Sequence, residues 1–251
     1  MLFPIIPPAG AASPASFAFD GTDDALVLTW ASTGTSSDRQ IWTLSFWAKY
    51  PSVGGDVTDY DPGMQAITSD DATFDAITVI AGSIDDKKIQ YNYTGTGSEE
   101  SDPVTLTADH WDHWIVAVDT TQATSDDRVK FYLNGALLTD SGFFPIDQNT
   151  LTQFFISGSR FDFGAFTDTG AYTEFDAAFL EMVSGQQLAA SDFGFDDGGT
   201  WTRKPFAGSF GSFGFSLDGS DGFNDVSGNG FDFTDNGGVT LDPLDLPPFT
   251  N

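Results

Sequence analysis

Hydrophobic and polar residues alternate with period two along much of this chain. From Trp111 to Val118, Trp111, His113, Ile115 and Ala117 point one way and Asp112, Trp114, Val116 and Val118 the other. Val129, Phe131 and Leu133 oppose Lys130, Tyr132 and Asn134 in the same manner. Period-two runs rich in β-branched and aromatic residues are half-buried strands. Asn134-Gly135 then closes a tight turn, because a type I′ turn needs positive φ at both central positions and these residues tolerate it. The same pattern predicts strands over Phe17–Asp20, Ala25–Trp30, Ile41–Tyr50, Phe74–Ala81, Lys88–Tyr93, Gln153–Gly158 and Tyr172–Val183. Trp42, Leu44, Phe46 and Ala48 share a face of the third. In the last, Asp176, Ala178, Leu180 and Met182 share one face, and Phe175, Ala177, Phe179 and Val183 the other. Residues 32–39, 51–63, 95–102 and the Phe-, Gly- and Asp-rich stretch up to Gly170 read as loops, with one helical turn within Gln187–Phe193. No stretch carries a helical period. Regularly spaced strands with Gly, Asp and Asn turns predict an all-β, antiparallel β-sandwich or jelly roll.

At 251 residues an all-β chain of this kind is commonly one domain, placed here at 16–238. Two Pro-rich stretches flank it. Residues 1–15 form an extended arm, in which Leu2, Phe3, Ile5 and Ile6 stand among prolines. Residues 239–251 form a second extended tail with no evident strand partner. Proline fixes φ and removes donors, so the first arm suits neither a helix nor a sheet interior. Being pre-extended, it loses little entropy on docking. Its four apolar side chains are expected to dock on another subunit, a symmetry mate or a shell protein; folding back on its own sandwich is the alternative. Cyclic symmetry lets several weak docking events cooperate, which favours a homo-oligomer, a trimer first.

The formal charge of −28 with nine Lys and Arg argues against nucleic acid, whose phosphates need a basic track, and against anionic membranes. No run approaches the span of about 20 apolar residues that crosses a bilayer. Such acidity suits a salty medium, where screening weakens self-repulsion. Cysteine is absent, which removes disulfides, thiolate metal sites and cysteine nucleophiles.

Four stretches, in order, resemble the strands of laminin-G-like domains, members of the concanavalin A-like lectin/glucanase group. They are F-D-G-T-D-D-A-L-V-L at 19–28, W-T-L-S-F-W-A-K at 42–49, W-D-H-W-I-V-A-V-D at 111–119 with V-K-F-Y-L-N-G at 129–135, and F-D-A-A-F-L-E-M-V-S-G-Q-Q-L at 175–188. The segment F-S-L-D-G-S-D-G-F-N-D-V-S-G-N-G-F-D-F-T at 215–234 resembles the one that usually opens these domains, yet here it closes the chain. The resemblance therefore implies a circularly permuted concanavalin A-like jelly roll, which close termini permit. The stretch from Trp201 to Asp218 resembles virion proteins of marine bacteriophages. Together these imply a non-enzymatic virion protein at the particle surface (capsid decoration, head fibre or tail-associated module), with capsid or tail proteins as partners and a host-surface glycan as ligand. A free carbohydrate-binding lectin of a marine or halophilic microbe is the alternative, with a divergent glycoside hydrolase behind it.

Glucanases of this group use an E-x-D-x-x-E strand, since hydrolysis needs two carboxyls across the sugar bond. Here Glu174 and Asp176 are present, but Phe179 replaces the third acid. Strict alternation puts Glu181 on the opposite face from Asp176, so no catalytic residue is assigned. His110 and His113, three apart on a strand, cannot converge on a metal. No G-x-S-x-G elbow is present for Ser-His-Asp chemistry. No cofactor is required. Asp225, Ser227 and Asn229 match the first half of a calcium loop without flanking helices or a closing Glu; the group's habit of binding calcium keeps them as candidate ligands, against plain turn formation. Tyr60 with Asp61, and Phe161, Asp162 and Phe163, pair aromatics with hydrogen-bonding acids and are the expected sugar-binding sets.

Overall fold

The computed structural model describes residues 13–51, 64–67, 74–81, 87–93, 97–139, 144–166 and 170–249. Tyr60, Asp61 and the arm residues Leu2, Phe3, Ile5 and Ile6 lie outside them. In chain order the strands are β1 (Ser16–Asp20), β2 (Ala25–Thr29), β3 (Ile41–Lys49), β4 (Met64–Ile67), β5 (Phe74–Ala81), β6 (Lys87–Tyr93), β7 (Gly97–Glu100), β8 (Trp111–Asp119), β9 (Val129–Leu133), β10 (Ala136–Leu137), β11 (Arg160–Phe163), β12 (Ala165–Phe166), β13 (Ala171–Tyr172), β14 (Glu174–Ser184), β15 (Gly194–Asp197), β16 (Thr200–Arg203), β17 (Phe215–Leu217), β18 (Thr234–Asn236) and β19 (Thr240–Asp242). One sheet runs β10-β9-β8-β3-β14-β1-β19, with β17 also on β14; the second runs β18-β2-β11-β4-β5-β6-β7. All ladders are antiparallel, as short turns between successive strands require.

The core fills the space between the sheets. Trp42, Leu44, Phe46 and Ala48 of β3 enter it from one side, with Trp114, Val116 and Val118 of β8 and Phe131 of β9. Leu26 and Leu28 of β2, Ile77 and Val79 of β5, Tyr91 of β6 and Phe161 and Phe163 of β11 meet them from the other. The alternation of β3, β8 and β9 is thus as the sequence pattern has it. The outer face of β8 departs from it: all nine residues are buried, because the chain from Leu188 to Phe210 packs over Ile115, Ala117 and Val183. Asn134 (φ +46) and Gly135 (φ +84) form the expected turn between β9 and β10.

Several expectations are corrected. Gln153–Gly158 is no strand; the backbone turns at Phe155 (φ +63), and Gly158 N–H donates to the Trp30 carbonyl at 2.8 Å. The strand follows at β11, in the stretch read as loop. Ser36–Gln40 is a short helix, not a loop: Thr35 Oγ1 accepts from Asp38 N–H and Asp38 returns the bond to Thr35 N–H, a reciprocal cap. The tail does find a strand partner, because β19 pairs with β1.

The largest correction lies in β14. Its register with β3 slips between Ala178 and Glu181, where Phe179 has φ +51. One extra residue on one strand is a β-bulge, which turns the following side chains over. Phe175 and Ala177 face the core before it, and Leu180 and Met182 after it. Glu181 therefore shares the outer face with Asp176, contrary to strict alternation.

The C-terminal segment joins both sheets. β17 pairs with Leu180–Met182 of β14 and β1 with Glu174–Ala177 of the same strand. Both run antiparallel to β14 and so lie end to end, and Ala15 N–H donates to the Asp218 carbonyl at 2.9 Å across the junction. β18 extends the second sheet beside β2. Residues 213–233 thus belong to the same sandwich, with β17 in line with β1 along β14 rather than beside it, and β19, which follows them, is the strand that pairs with β1. We predict that removing residues 213–251 abolishes cooperative thermal unfolding, followed by circular dichroism, because the deletion uncovers Phe215, Leu217 and Phe233 sites in the core; a truncated chain that still melts cooperatively contradicts this topology.

Candidate functional site

β14 carries Glu174, Asp176 and Glu181 on its outer face, and the neighbouring elements treat them differently. Glu181 is 3% exposed and lies 3.2 Å from Arg203 Nη2. Burial pushes its carboxyl up, against the opposing pull of Arg203. The Arg203 guanidinium also stacks 3.8 Å from the Phe179 ring centroid. Beside this pair lies a second sealed group. Trp201 Nε1–H donates to His113 Nδ1 at 2.9 Å, and His113 Nε2 meets Ser45 Oγ at 2.8 Å, with Trp47 stacked on the imidazole at 4.7 Å.

An indole nitrogen can only donate, so His113 Nδ1 carries the lone pair. Burial holds the ring neutral, with a pKa of about 3, so its single proton sits on Nε2 and is donated to Ser45. A histidine in that tautomer cannot take the serine's proton, and this Ser-His pair is a structural lock rather than a nucleophile and base. His110 is turned to Asp112 at 3.3 Å, so the two histidines do not converge.

The other end of β14 opens into a cleft of about 360 Å³. Asp20, Asp24, Asp109, Glu174 and Asp176 line it with Lys49, and Phe19 and Phe175 lie beneath it, buried in the core. The two rings stack at 4.7 Å. β1 and β14 place the acids, since Asp20 stands opposite Glu174 and Ala18 opposite Asp176. The loop after β1 folds Asp24 back so that its Oδ2 accepts from Asp20 N–H at 2.9 Å. Gly237 (φ +104) lets the β18–β19 turn press against the Asp23 carbonyl, where a side chain would collide. Asp24 is 4% exposed; burial raises its pKa, the bond from Asp20 N–H opposes this, and the charges of Asp20, Asp23 and Asp235 add to the rise. Lys49 is 2.9 Å from Asp176 and also pairs with Asp245. Burial works against its charge, but the two carboxylates outweigh it and hold its pKa above the ordinary value.

Of the sequence-predicted sets, the two that lie among the described residues are not brought together here. Phe161, Asp162 and Phe163 cannot form a sugar platform, because all three are fully buried in β11. The rings pack against Phe215 and Phe233, and against Phe19 and Phe175, while Asp162 is held by Arg160 at 2.6 Å. In the Asp225 loop both carboxylate oxygens serve the chain itself: Oδ1 accepts from Ser216 and Ser227 N–H, and Oδ2 from Ser227 Oγ and Phe231 N–H. Asn229 Nδ2 donates to the Gly211 and Gly214 carbonyls. That is turn chemistry. The carboxylate oxygens of Asp20, Asp23 and Asp24, within 4.8 Å of one another, are the donor set among the described residues that suits a hard cation. F-D-G-T-D-D carried the signal for it, but a turn reading absorbed those acids.

No family model matches the chain, and no curated protein matches it in sequence. Among solved structures, the native heptameric SAP-like pentraxin of Limulus polyphemus is similar over 92% of this chain and 95% of that one, with a TM-score of 0.55 at 11% identity. Mouse laminin α1 domains LG4-5 align with 74% of this chain and 48% of that one, TM-score 0.46, at 10% identity. A full-length tailspike protein 2 from an Escherichia coli O157:H7 bacteriophage aligns with 75% of this chain and 28% of that one, TM-score 0.44, at 10% identity. The chain therefore shares the jelly-roll fold of that pentraxin. At these identities the likeness is one of fold, and function rests on the site.

The buried histidine generates a pH prediction. In the unfolded chain His113 takes a proton near pH 6.5, and in the folded chain only near about 3. Between those values the unfolded state binds more protons, so stability falls as pH drops, by up to about 1.4 kcal/mol per unit. Asp24, Asp112 and Glu181, whose folded pKa values are raised, act in the opposite sense and offset part of it. His113→Gln keeps an acceptor for Trp201 and a donor for Ser45, so urea unfolding across this window should show a flatter acid slope. An unchanged slope would show that His113 does not set it.

Proposed function

We propose that this chain is a non-enzymatic, glycan-binding jelly roll carried on the surface of a bacteriophage particle. The observation that carries the binding reading is the open cleft at this end of β14, lined by Asp20, Asp24, Asp109, Glu174 and Asp176. Sugar hydroxyls donate to carboxylates, and a few convergent polar groups in a cleft are what orient such a ligand. Catalysis fits less well. The three-acid strand of the glucanases is not met on β14: Asp176 is paired with Lys49, Glu181 is sealed beneath Arg203, and Phe179 stands where the third acid would be. Calcium, if the glycan is bound through it, would be held by Asp20, Asp23 and Asp24.

The particle setting is supported by the sequence: the stretch 201–218 resembles virion proteins, and the apolar arm at Leu2, Phe3, Ile5 and Ile6 suits docking on capsid or tail proteins or on symmetry mates, a trimer among them. A free lectin of a marine or halophilic microbe would share the cleft and lack the particle.

A glycan microarray probed with calcium and with chelator tests the binding. Glu174→Gln and Asp24→Asn should each weaken retention about tenfold to a hundredfold, the worth of a charge-assisted hydrogen bond. No reducing ends should appear on incubation with β-glucans or marine polysaccharides; turnover lost in Glu174→Gln would establish a hydrolase instead. Deleting residues 2–12 should leave thermal unfolding of the domain nearly unchanged and abolish assembly or particle incorporation. A deletion that melts the domain and spares assembly would place the arm on its own sandwich.

A further inference from the structure

The C-terminal tail is fastened to the outer face of the larger sheet at Asp245. Its Oδ1 accepts from Trp111 Nε1–H at 3.1 Å, and its Oδ2 pairs with the Lys49 amine. That amine also touches Asp176 Oδ2 at 2.9 Å; Asp176 stands opposite Lys49 in the β3–β14 ladder. The Trp111 ring lies 5.4 Å from Lys49 Nζ. The chain is held on both sides of Asp245: β19 pairs with β1 before it, and Arg203 N–H donates to the Pro248 carbonyl at 2.8 Å after it.

An amine, a carboxyl from a distant segment and a second carboxylate touching the amine are the parts an amide bond between side chains requires. We propose that Lys49 and Asp245 join in an intramolecular isopeptide bond, with Asp176 shuttling the protons. In the resting ion triad Lys49 is an ammonium. Transfer of one proton from Nζ to Asp176 leaves a neutral amine and does not change the net charge of the site. Nζ then attacks Asp245 Cγ. The N–C bond forms and the Cγ–Oδ2 bond breaks. Two of the three ammonium protons leave on that oxygen as water, passing through Asp176, which returns to its starting form. The third stays on the amide. No oxidant, reductant or further reactant enters. The Trp111 N–H faces Oδ1, where charge develops in the tetrahedral intermediate. The fold holds amine and carboxyl in contact, and such pre-arranged pairs reach effective molarities of about 10⁵–10⁸ M, which speeds the attack once Nζ has passed its proton to Asp176.

The bond would close a covalent loop between β3 and the tail in a chain that has no cysteine for a disulfide. It would fix the strap that covers Trp111 and Phe179. It does not depend on the glycan reading.

Intact-mass measurement of the denatured full chain tests it. The wild-type chain should be lighter than its sequence mass by one water, and tryptic mapping should give one branched peptide through Lys49 and Asp245, uncut at Lys49. Lys49→Arg, which keeps the positive charge and the fold by circular dichroism, and Asp245→Ala should both show the full mass. Asp176→Ala should slow or stop the loss of water. A wild-type chain that keeps its full mass after prolonged incubation in the folded state overturns the proposal. So does a loss of water that maps to an Asp-Gly succinimide, for example at Asp218-Gly219.

Discussion

The outer face of this molecule depends on one extra residue in β14. Without the bulge at Phe179, either Phe175 and Ala177 or Leu180 and Met182 would leave the core, since side chains alternate strictly along a regular strand. With it, both pairs face inward, and Glu174, Asp176 and Glu181 share the opposite side. A phenylalanine at φ +51 is uncommon and costs free energy. The surroundings offset it: Trp47, Trp111 and Ala178 bury the ring, and Arg203 stacks on it.

The bulge also coincides with the junction of the chain's two ends. β17 and β1 meet end to end along β14, on either side of Phe179. The acid beyond the junction, Glu181, is closed in by β16 through Arg203 and neutralised. The acids before it open into the cleft beside the β1–β2 turn. One strand thus supplies a structural carboxylate at one end and cleft-lining carboxylates at the other. The tail then crosses the same face, where Lys49 connects the cleft, through Asp176, to Asp245.

Much of the fold was legible. The alternation of Trp42, Leu44, Phe46 and Ala48, and of Trp114, Val116 and Val118, placed the core because each run is regular and has one face against the opposite sheet. The pattern failed where regularity did. Phe179 reads as one more alternating residue, and nothing local marks it as the bulge. Phe161-Asp162-Phe163 reads as loop because Gly and Asp surround it, while its central place between β2 and β4 is set by pairing far away in sequence. Thr35-x-x-Asp38 was a readable capping signal hidden in a polar stretch. The cleft was legible only in its parts: Asp20, Asp24 and Glu174 are each ordinary turn or strand-entry acids, and the β1–β14 ladder is what gathers them. His113 looked like a stray strand residue; the indole that fixes its tautomer comes from Trp201, far along the chain.

The central claim, proposed above, is that the acidic cleft meets the ligand. Two-dimensional NMR of the full chain, titrated with whichever glycan it retains, tests this directly. The account predicts amide shifts concentrated at Phe19–Asp24, Lys49 and Glu174–Asp176, with the Asp225 loop and β11 unmoved. Shifts centred on the Asp225 loop, or spread over the sheet far from β1 and β14, would contradict it.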